Sequence, residues 1–146
     1  MAYESDLSFN YLGPTKIVFG VDSSKDVEIE MSTLGGTKAV VVTDEGIIKA
    51  GLIDHITKAL GGKCVGVFSD IPQDTGVDVV DKGAAFAKKN GADIVISVGG
   101  GSVIDTAKGM CMLITEGGTL RDFNGIQLLT RPQVPHIVIP TTAGTG

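Results

Sequence analysis

The sequence predicts an α/β fold built on a doubly wound, mostly parallel sheet. Two observations lead to this prediction. The strand-like segments are apolar throughout rather than alternating, as in strands that are covered on both faces. They also alternate with helical segments of roughly 10 to 15 residues, a pattern that predicts right-handed strand–helix–strand crossovers. The 146 residues are enough for one domain with a sizeable core.

The hydrophobic pattern places the strands first. Short apolar runs bounded by turn residues are typical of buried strands. The strands predicted in this way are Lys16 to Gly20, Lys38 to Asp44, Cys64 to Phe68, Ala92 to Val98 and His136 to Pro140.

Helices are predicted between these strands, because apolar residues recur there every three or four positions. The first follows the capping residues Asp22-Ser23-Ser24 and ends at Gly35-Gly36. The others are recognised from their apolar faces: Ile48 to Leu60, Val77 to Ala87, and a helix that starts at Ser102 and ends before Gly117. The segment from Thr119 to Pro135 is predicted to be mostly loop.

Composition excludes several classes of protein. The net charge is −5, and no basic run exceeds the pair Lys88-Lys89, which argues against nucleic acid as a partner. Cys64 and Cys111 are too few for a disulfide framework and are predicted to be buried thiols. No apolar stretch approaches the ~18 residues of a membrane span, and the first residues do not resemble a signal peptide. We therefore expect a cytoplasmic protein with small-molecule partners.

Four polar segments are expected to meet at one edge of the sheet. They follow the predicted strands directly, and in open parallel sheets ligands bind beyond the carboxyl ends of the strands. The segments are Thr43-Asp44, Ser69-Asp70, Gly99 to Ser102, and Thr141-Thr142.

The glycine turn Gly99-Gly100-Gly101 lies between an apolar strand and a helix. Glycines without Cβ atoms let a phosphate approach the backbone, and the amino terminus of the helix attracts its charge. The turn is not the usual Gly-x-Gly-x-x-Gly dinucleotide fingerprint, because Ile104 stands where its third glycine would be. It is not a Walker loop either. The turn therefore predicts a phosphate-bearing cofactor held in a fold with a different internal order.

Asp44 is the candidate ribose contact. A carboxylate at the end of a strand can accept hydrogen bonds from ribose hydroxyls and repels a 2′-phosphate, so it favours NAD over NADP. The equally simple alternative is that Asp44 caps the next helix.

Three residues of the last helix also allow two interpretations. Ser102 and Asp105 fit a reciprocal amino-terminal cap, and both could instead contact a cofactor. Lys108 could reach a phosphate, although a structural role along the edge of the sheet is favoured. His55 and His136 have no partner at catalytic spacing and are predicted to be ordinary surface or edge histidines.

Two separated motifs, in this order, resemble the iron-containing (group III) alcohol dehydrogenases. They are Gly99 to Lys108 and Ile139-Pro140-Thr141-Thr142-Ala143-Gly144-Thr145-Gly146. The resemblance extends to Val41 to Asp44 and to Gly91-Ala92-Asp93. Glycerol dehydrogenases and dehydroquinate synthases share the glycine turn, but Ser102 and the threonine motif look more like the alcohol dehydrogenases.

The resemblance implies a Rossmann-like domain, also found in dehydroquinate synthases, that binds NAD(P) over residues 1–146. It assigns Asp44 to the ribose, Gly99 to Ser102 to the pyrophosphate, and Thr141 and Thr142 to the adenine and nicotinamide side of the cleft. The family loop that contacts adenosine differs here, where Gln73 stands.

The resemblance further implies an all-helical domain after residue 146 that holds Fe²⁺ or another divalent metal through one Asp and three His. We therefore expect residues 1–146 to be part of a longer, homo-oligomeric enzyme and to be inactive alone. The expected reaction is hydride transfer between NAD and a small alcohol or aldehyde. The alternatives are a glycerol dehydrogenase-like or dehydroquinate synthase-like enzyme, or a nucleotide-binding module without catalysis.

Overall fold

The computed structural model describes residues 13–72 and 76–143. Its strands are β1 (Ala39–Val42), β2 (Cys64–Phe68), β3 (Ile94–Gly99) and β4 (His136–Pro140). Its α-helices are α1 (Val27–Thr33), α2 (Glu45–Lys49), α3 (Asp54–Leu60), α4 (Val77–Lys89) and α5 (Gly101–Glu116). Short 3₁₀ turns occupy Ser23–Asp26, Gly61–Lys63 and Leu120–Phe123.

The four strands form one parallel sheet in the order β2-β1-β3-β4. The chain moves outward from β1 to β2, then returns past β1 to β3 and continues to β4. The order therefore changes direction between β1 and β3, and this is the position at which parallel sheets bind ligands. Turns after both strands lie at that point.

Helices cover both faces of the sheet. Alternate residues of β1 point to opposite sides: Val40 and Val42 pack with α4 and α5, whereas Ala39 and Val41 pack with α1 and α3. All four residues of β1 and all six of β3 are buried, which explains why neither strand alternates in sequence. The predicted doubly wound α/β fold is confirmed.

One strand prediction is wrong. Residues 16–20 form no strand and make no β-pairing within the described chain, although the Lys16 ammonium pairs with the Glu30 carboxylate at 2.6 Å. Ile17 is 83% exposed and Phe19 99% exposed. An apolar run forms a strand only where a neighbour accepts its backbone hydrogen bonds, and the four-stranded sheet does not extend to this segment. Leu34, an apolar residue of the first predicted helix, is also about half exposed because it lies at the end of α1.

The helix predicted from Ile48 to Leu60 is divided in two. Gly51 adopts a φ of 69° between α2 and α3, in the left-handed region that glycine occupies without strain. Its N–H donates to the Ile48 carbonyl at 2.9 Å and closes the first helix. Thus α3 alone supplies the buried Ile56 and Leu60, whereas α2 has no buried residue.

Both cysteines are free thiols, and the predicted burial is confirmed for Cys111 but not for Cys64, which is partly exposed. Cys111 is buried, and burial raises the pKa of its thiol to about 12. Burial also raises the pKa of the partly buried Cys64. None of the helices in the described ranges has the length and apolar character needed to cross a bilayer.

Candidate functional site

A cavity of about 550 Å³ opens at the carboxyl edge of the sheet. This volume lies within the range of small-molecule sites, roughly 300 to 1,000 Å³. Three segments line the cavity: residues 44–46 after β1, residues 69–72 after β2, and residues 100–103 after β3. The structure therefore brings together three of the four segments that the sequence placed at this edge.

The first turn of α5 forms one wall of the cavity. Gly100 is the residue before the helix, and Gly101, Ser102 and Val103 line the cavity. The first N–H groups of a helix have no intrahelical acceptor and carry its partial positive charge. With 16 residues, α5 is long enough for this charge to attract a phosphate.

The three glycines of the turn have different roles. A Cβ on Gly99 would lie 2.7 Å from a Val103 methyl, and one on Gly100 would lie 3.3 Å from the Thr142 methyl. A Cβ on Gly101 would meet nothing within 4 Å of the described chain. Gly99 therefore permits close packing of β3 on α5, whereas the missing Cβ of Gly101 leaves open space for a ligand.

Asp44 forms the opposite wall. Its Oδ1 accepts a hydrogen bond of 2.9 Å from the Ile47 N–H, so Asp44 is the N-cap of α2. The capping interpretation is therefore correct. It does not exclude the ribose interpretation, because a carboxylate can accept about four hydrogen bonds and Asp44 lines the cavity.

Two further carboxylates, Glu45 and Asp70, line the cavity. Glu45 pairs with Lys49 at 2.8 Å, and this hydrogen bond holds the pKa of Glu45 below its usual value. The cavity thus combines a phosphate-attracting helix terminus with a carboxylate side that repels phosphate and accepts hydroxyl hydrogen bonds. The cavity is also lined by residues that the sequence pattern did not indicate: Glu45, Gly46, Ile71, Pro72 and Val103.

The two threonines after β4 lie beside the glycine turn. The Thr141 N–H donates to the Gly99 carbonyl at 3.0 Å, and the Thr142 side chain contacts the Gly100 position. Neither lines the cavity. They support the turn, and a cofactor role for them stays a prediction. Gln73 and Gly144 to Gly146 lie outside the described residues.

The predicted Ser102–Asp105 cap is wrong. Gly100 occupies the N-cap position, so Ser102 lies two residues inside α5. The Asp105 carboxylate is largely exposed and lies 3.2 Å from the Lys108 ammonium. The same sequence pattern does form a capping box at Thr119 and Asp122, ahead of the 3₁₀ turn 120–123, within the segment predicted to be loop. Lys108 does not line the cavity, and its structural role along the edge of the sheet stays a prediction.

No group of three or more metal-binding side chains occurs within residues 13–72 and 76–143. These residues therefore do not fit a divalent metal. They do fit a nucleotide with a pyrophosphate, because the cavity holds a helix amino terminus, an unfilled Cβ position and a carboxylate at the switch point, where the strand order changes direction between β1 and β3.

These features define a nucleotide-binding α/β domain. The family model of the iron-containing alcohol dehydrogenases matches residues 14–146. The chain belongs to the iron-containing alcohol dehydrogenase family.

Individual relatives agree with this assignment. The chain is 35% identical over 142 residues to sulfoacetaldehyde reductase of Bilophila wadsworthia, covering 96% of this chain and 37% of that protein. It is 33% identical to the NAD-dependent methanol dehydrogenase of Bacillus methanolicus, covering 94% and 36%. The solved structure of sulfoacetaldehyde reductase from Bifidobacterium kashiwanohense in complex with NAD⁺ superposes with a TM-score of 0.87 at 26% identity, covering 95% and 37%. The chain thus spans little more than a third of the length of these relatives.

Proposed function

We propose that this chain is the NAD-binding domain of a metal-dependent alcohol dehydrogenase acting on a small alcohol or aldehyde. The observation that carries the proposal is the single cavity that joins the α5 amino terminus to Asp44 at the switch point of the sheet. Relatives that the chain matches over more than nine-tenths of its length include an NAD-dependent dehydrogenase and an enzyme solved with NAD⁺.

In this proposal the dinucleotide, when bound, supplies the nicotinamide that accepts or gives the hydride. The residues of this chain bind and orient it. The N–H end of α5 holds the pyrophosphate, with Gly101 giving the phosphates room, while the carboxylate of Asp44 accepts hydrogen bonds from the adenosine ribose. Its negative charge disfavours the 2′-phosphate of NADP.

In this proposal the metal site belongs to an all-helical domain beyond residue 146, as the resemblance to the family implies. The alcohol pocket would lie between the two domains. We further propose that residues 1–146 alone do not turn over substrate and that the longer enzyme is a cytoplasmic homo-oligomer.

The test is a fluorescence titration of the full-length protein with NADH and NADPH. The informative variant is Asp44→Asn, because asparagine keeps the N-cap of α2 while removing the charge. We expect saturable NADH binding by the unchanged protein, and a preference for NADH over NADPH that falls about tenfold in D44N.

Asp54→Asn is the matched control, since Asp54 is an exposed acid in the first turn of α3, outside the cavity. It should leave the preference unchanged. Absence of saturable binding of either nucleotide to the full-length protein would contradict the cofactor assignment. An unchanged preference in D44N would contradict the role of Asp44.

A further inference from the structure

Thr43 connects the two segments that form the walls of the cavity, although it does not itself line the cavity. It is the residue before Asp44 and is completely buried, with 0% of its surface exposed. Its hydroxyl donates to the Val98 carbonyl at 2.8 Å. Val98 directly precedes Gly99, where the glycine turn begins.

The register of the sheet explains why this hydroxyl is needed. The pairing of β1 with β3 ends at Val42 and Ser97, whereas β3 continues to Gly99. The Thr43 side chain extends the connection by one residue beyond the last backbone pair. The hydroxyl bond therefore adds to the backbone pairing of β1 with β3 at the point where the glycine turn begins.

Thr43 is also fixed on its other side. Its N–H donates to the Phe68 carbonyl at 3.0 Å, and Phe68 is the last residue of β2. Thr43 is therefore anchored to β2 through its backbone and to β3 through its side chain. Directly after it, Asp44 leaves the sheet in an extended conformation, with φ −118° and ψ 166°, and its carboxylate reaches the cavity.

We propose that Thr43 is a positioning residue for the dinucleotide: its hydroxyl bond to Val98 fixes the spacing between the Asp44 carboxylate and the glycine turn. This inference rests on the function proposed above. A dinucleotide must reach both walls at once, so a small change in their spacing weakens one set of contacts when the other is made. Thr43 thereby sets the affinity for the ADP half of the cofactor.

The first experiment compares Thr43→Val and Thr43→Ser in the full-length enzyme. Valine keeps the shape and removes the donor, whereas serine keeps the donor. The Kd of ADP-ribose should rise about five- to tenfold in T43V, as expected for a lost hydrogen bond, and return to within about twofold in T43S. The KM for the alcohol should stay unchanged, and kcat at saturating cofactor should change less than the KM for NAD.

Ser97→Ala is the matched control. Ser97 is equally buried and belongs to β3. Its hydroxyl is hydrogen-bonded to His136 Nε2 at 2.8 Å, and it does not line the cavity. S97A should lower the thermal midpoint and leave the Kd of ADP-ribose unchanged. If S97A weakens ADP-ribose as much as T43V does, the effect is a general loss of packing and the proposal is overturned.

A double-mutant cycle tests whether Thr43 acts through Asp44. In the D44N background, T43V should weaken ADP-ribose by less than about twofold, because the contact that Thr43 positions is already impaired. A full five- to tenfold loss in both backgrounds would show that Thr43 acts independently of Asp44 and would overturn the proposal.

Three further outcomes are distinguishable from these. If T43V does not fold, Thr43→Cys takes its place, since cysteine is smaller and is only a weak donor; wild-type ADP-ribose affinity in T43C would overturn the proposal. If the unchanged enzyme binds ADP-ribose but T43V binds it equally well, positioning by Thr43 fails and the proposed function stands. If the unchanged enzyme binds neither NADH nor ADP-ribose, both fail.

Discussion

The two edges of the sheet use the same residue type for opposite purposes. At the amino edge, Asp93 precedes β3 and accepts hydrogen bonds from the N–H groups of Thr37 and Lys38 and from the Thr37 hydroxyl. At the carboxyl edge, Asp44 accepts one hydrogen bond from the described chain, that of Ile47. A carboxylate whose oxygens accept several hydrogen bonds from the protein joins segments of the chain. A carboxylate whose oxygens accept few can still accept hydrogen bonds from a ligand.

The electrostatics of the amino edge agree with this comparison. Partial burial by itself raises the pKa of Asp93, but the donors of Thr37 and Lys38 outweigh it and hold that pKa below its usual value of 3.8. At the nearby start of β4, His136 Nε2 is likewise hydrogen-bonded within the protein, to the buried Ser97 hydroxyl. The polar groups at this edge hydrogen-bond neighbouring strands to one another. Substitutions there should therefore lower stability and leave ligand binding unchanged.

The largest expected effect is acid destabilisation through His136. Burial, followed by the positive charge of Lys108, lowers its pKa from 6.5 to about 4. The unfolded chain therefore binds this proton more readily, so the contribution of His136 to stability is complete above pH 6.5 and is lost as the pH falls towards 4. Urea unfolding should show a loss on the order of 3 kcal/mol across this range.

His136→Gln keeps a donor and an acceptor near Ser97 without titrating. It should flatten the dependence of unfolding free energy on pH between 6.5 and 4, while NADH affinity at pH 7 stays unchanged. An equally steep dependence in H136Q would assign the proton uptake to another group.

The next largest effect is expected for Asp93→Asn. The amide cannot accept all the donors of Thr37 and Lys38, so the free energy of unfolding at pH 7 should fall by about 2 kcal/mol, with NADH affinity within twofold of the unchanged protein. Asparagine should also remove the part of the stability that is present above pH 3.8 and lost below it, as Asp93 itself becomes protonated.

Asp26→Asn is the control for that substitution, because the side chain of this exposed acid makes no capping bond at the start of α1. Its effect on unfolding should stay within about 0.5 kcal/mol. A tenfold loss of cofactor binding in D93N would contradict the assignment of a structural role to the amino edge and a ligand-binding role to the carboxyl edge.

The smallest effect separates two glycines within the carboxyl edge. Gly101→Ala should weaken NADH about tenfold, because the new methyl fills the ligand's space, and should leave the unfolding midpoint unchanged or slightly higher. Gly99→Ala should instead lower stability by about 1 kcal/mol or more, since its Cβ would overlap Val103. Paired titration and thermal unfolding of both variants measure this difference; a reversed pattern would refute the assignment of roles.

The sequence was sufficient for the four strands that the sheet contains, because continuous apolar runs such as Val40 to Val42 and Ile94 to Ile96 have few other solutions. It also placed Asp44 and Gly100 to Ser102 around one cavity, since parallel topology alone brings these ends together. Both results follow from the spacing of apolar residues and from the alternation of strands and helices, which can be seen directly in the sequence.

The failures concern properties that depend on neighbours. Residues 16–20 have the composition of a strand, but the sheet offers them no partner in the described chain. Ser102-x-x-Asp105 and Thr119-x-x-Asp122 carry the same capping pattern, and only the second forms a box, because Gly100 already occupies the cap position of α5. The sequence placed Thr43 at the carboxyl edge but did not indicate its bond to Val98, because that bond depends on how far β3 extends beyond β1.

The short helix α2 has a consequence for how this domain can diverge. It is capped by Asp44, ends before the Gly51 turn and has no fully buried residue among its five. Only its partly buried Ile47 packs against the core that α1, α3 and the sheet share, so substitutions at the exposed positions of α2 leave that packing undisturbed. If Asp44 sets the cofactor preference as proposed, that preference can change through surface positions of this wall, while Gly99 and Gly100, whose Cβ positions lie against Val103 and Thr142, cannot vary so freely.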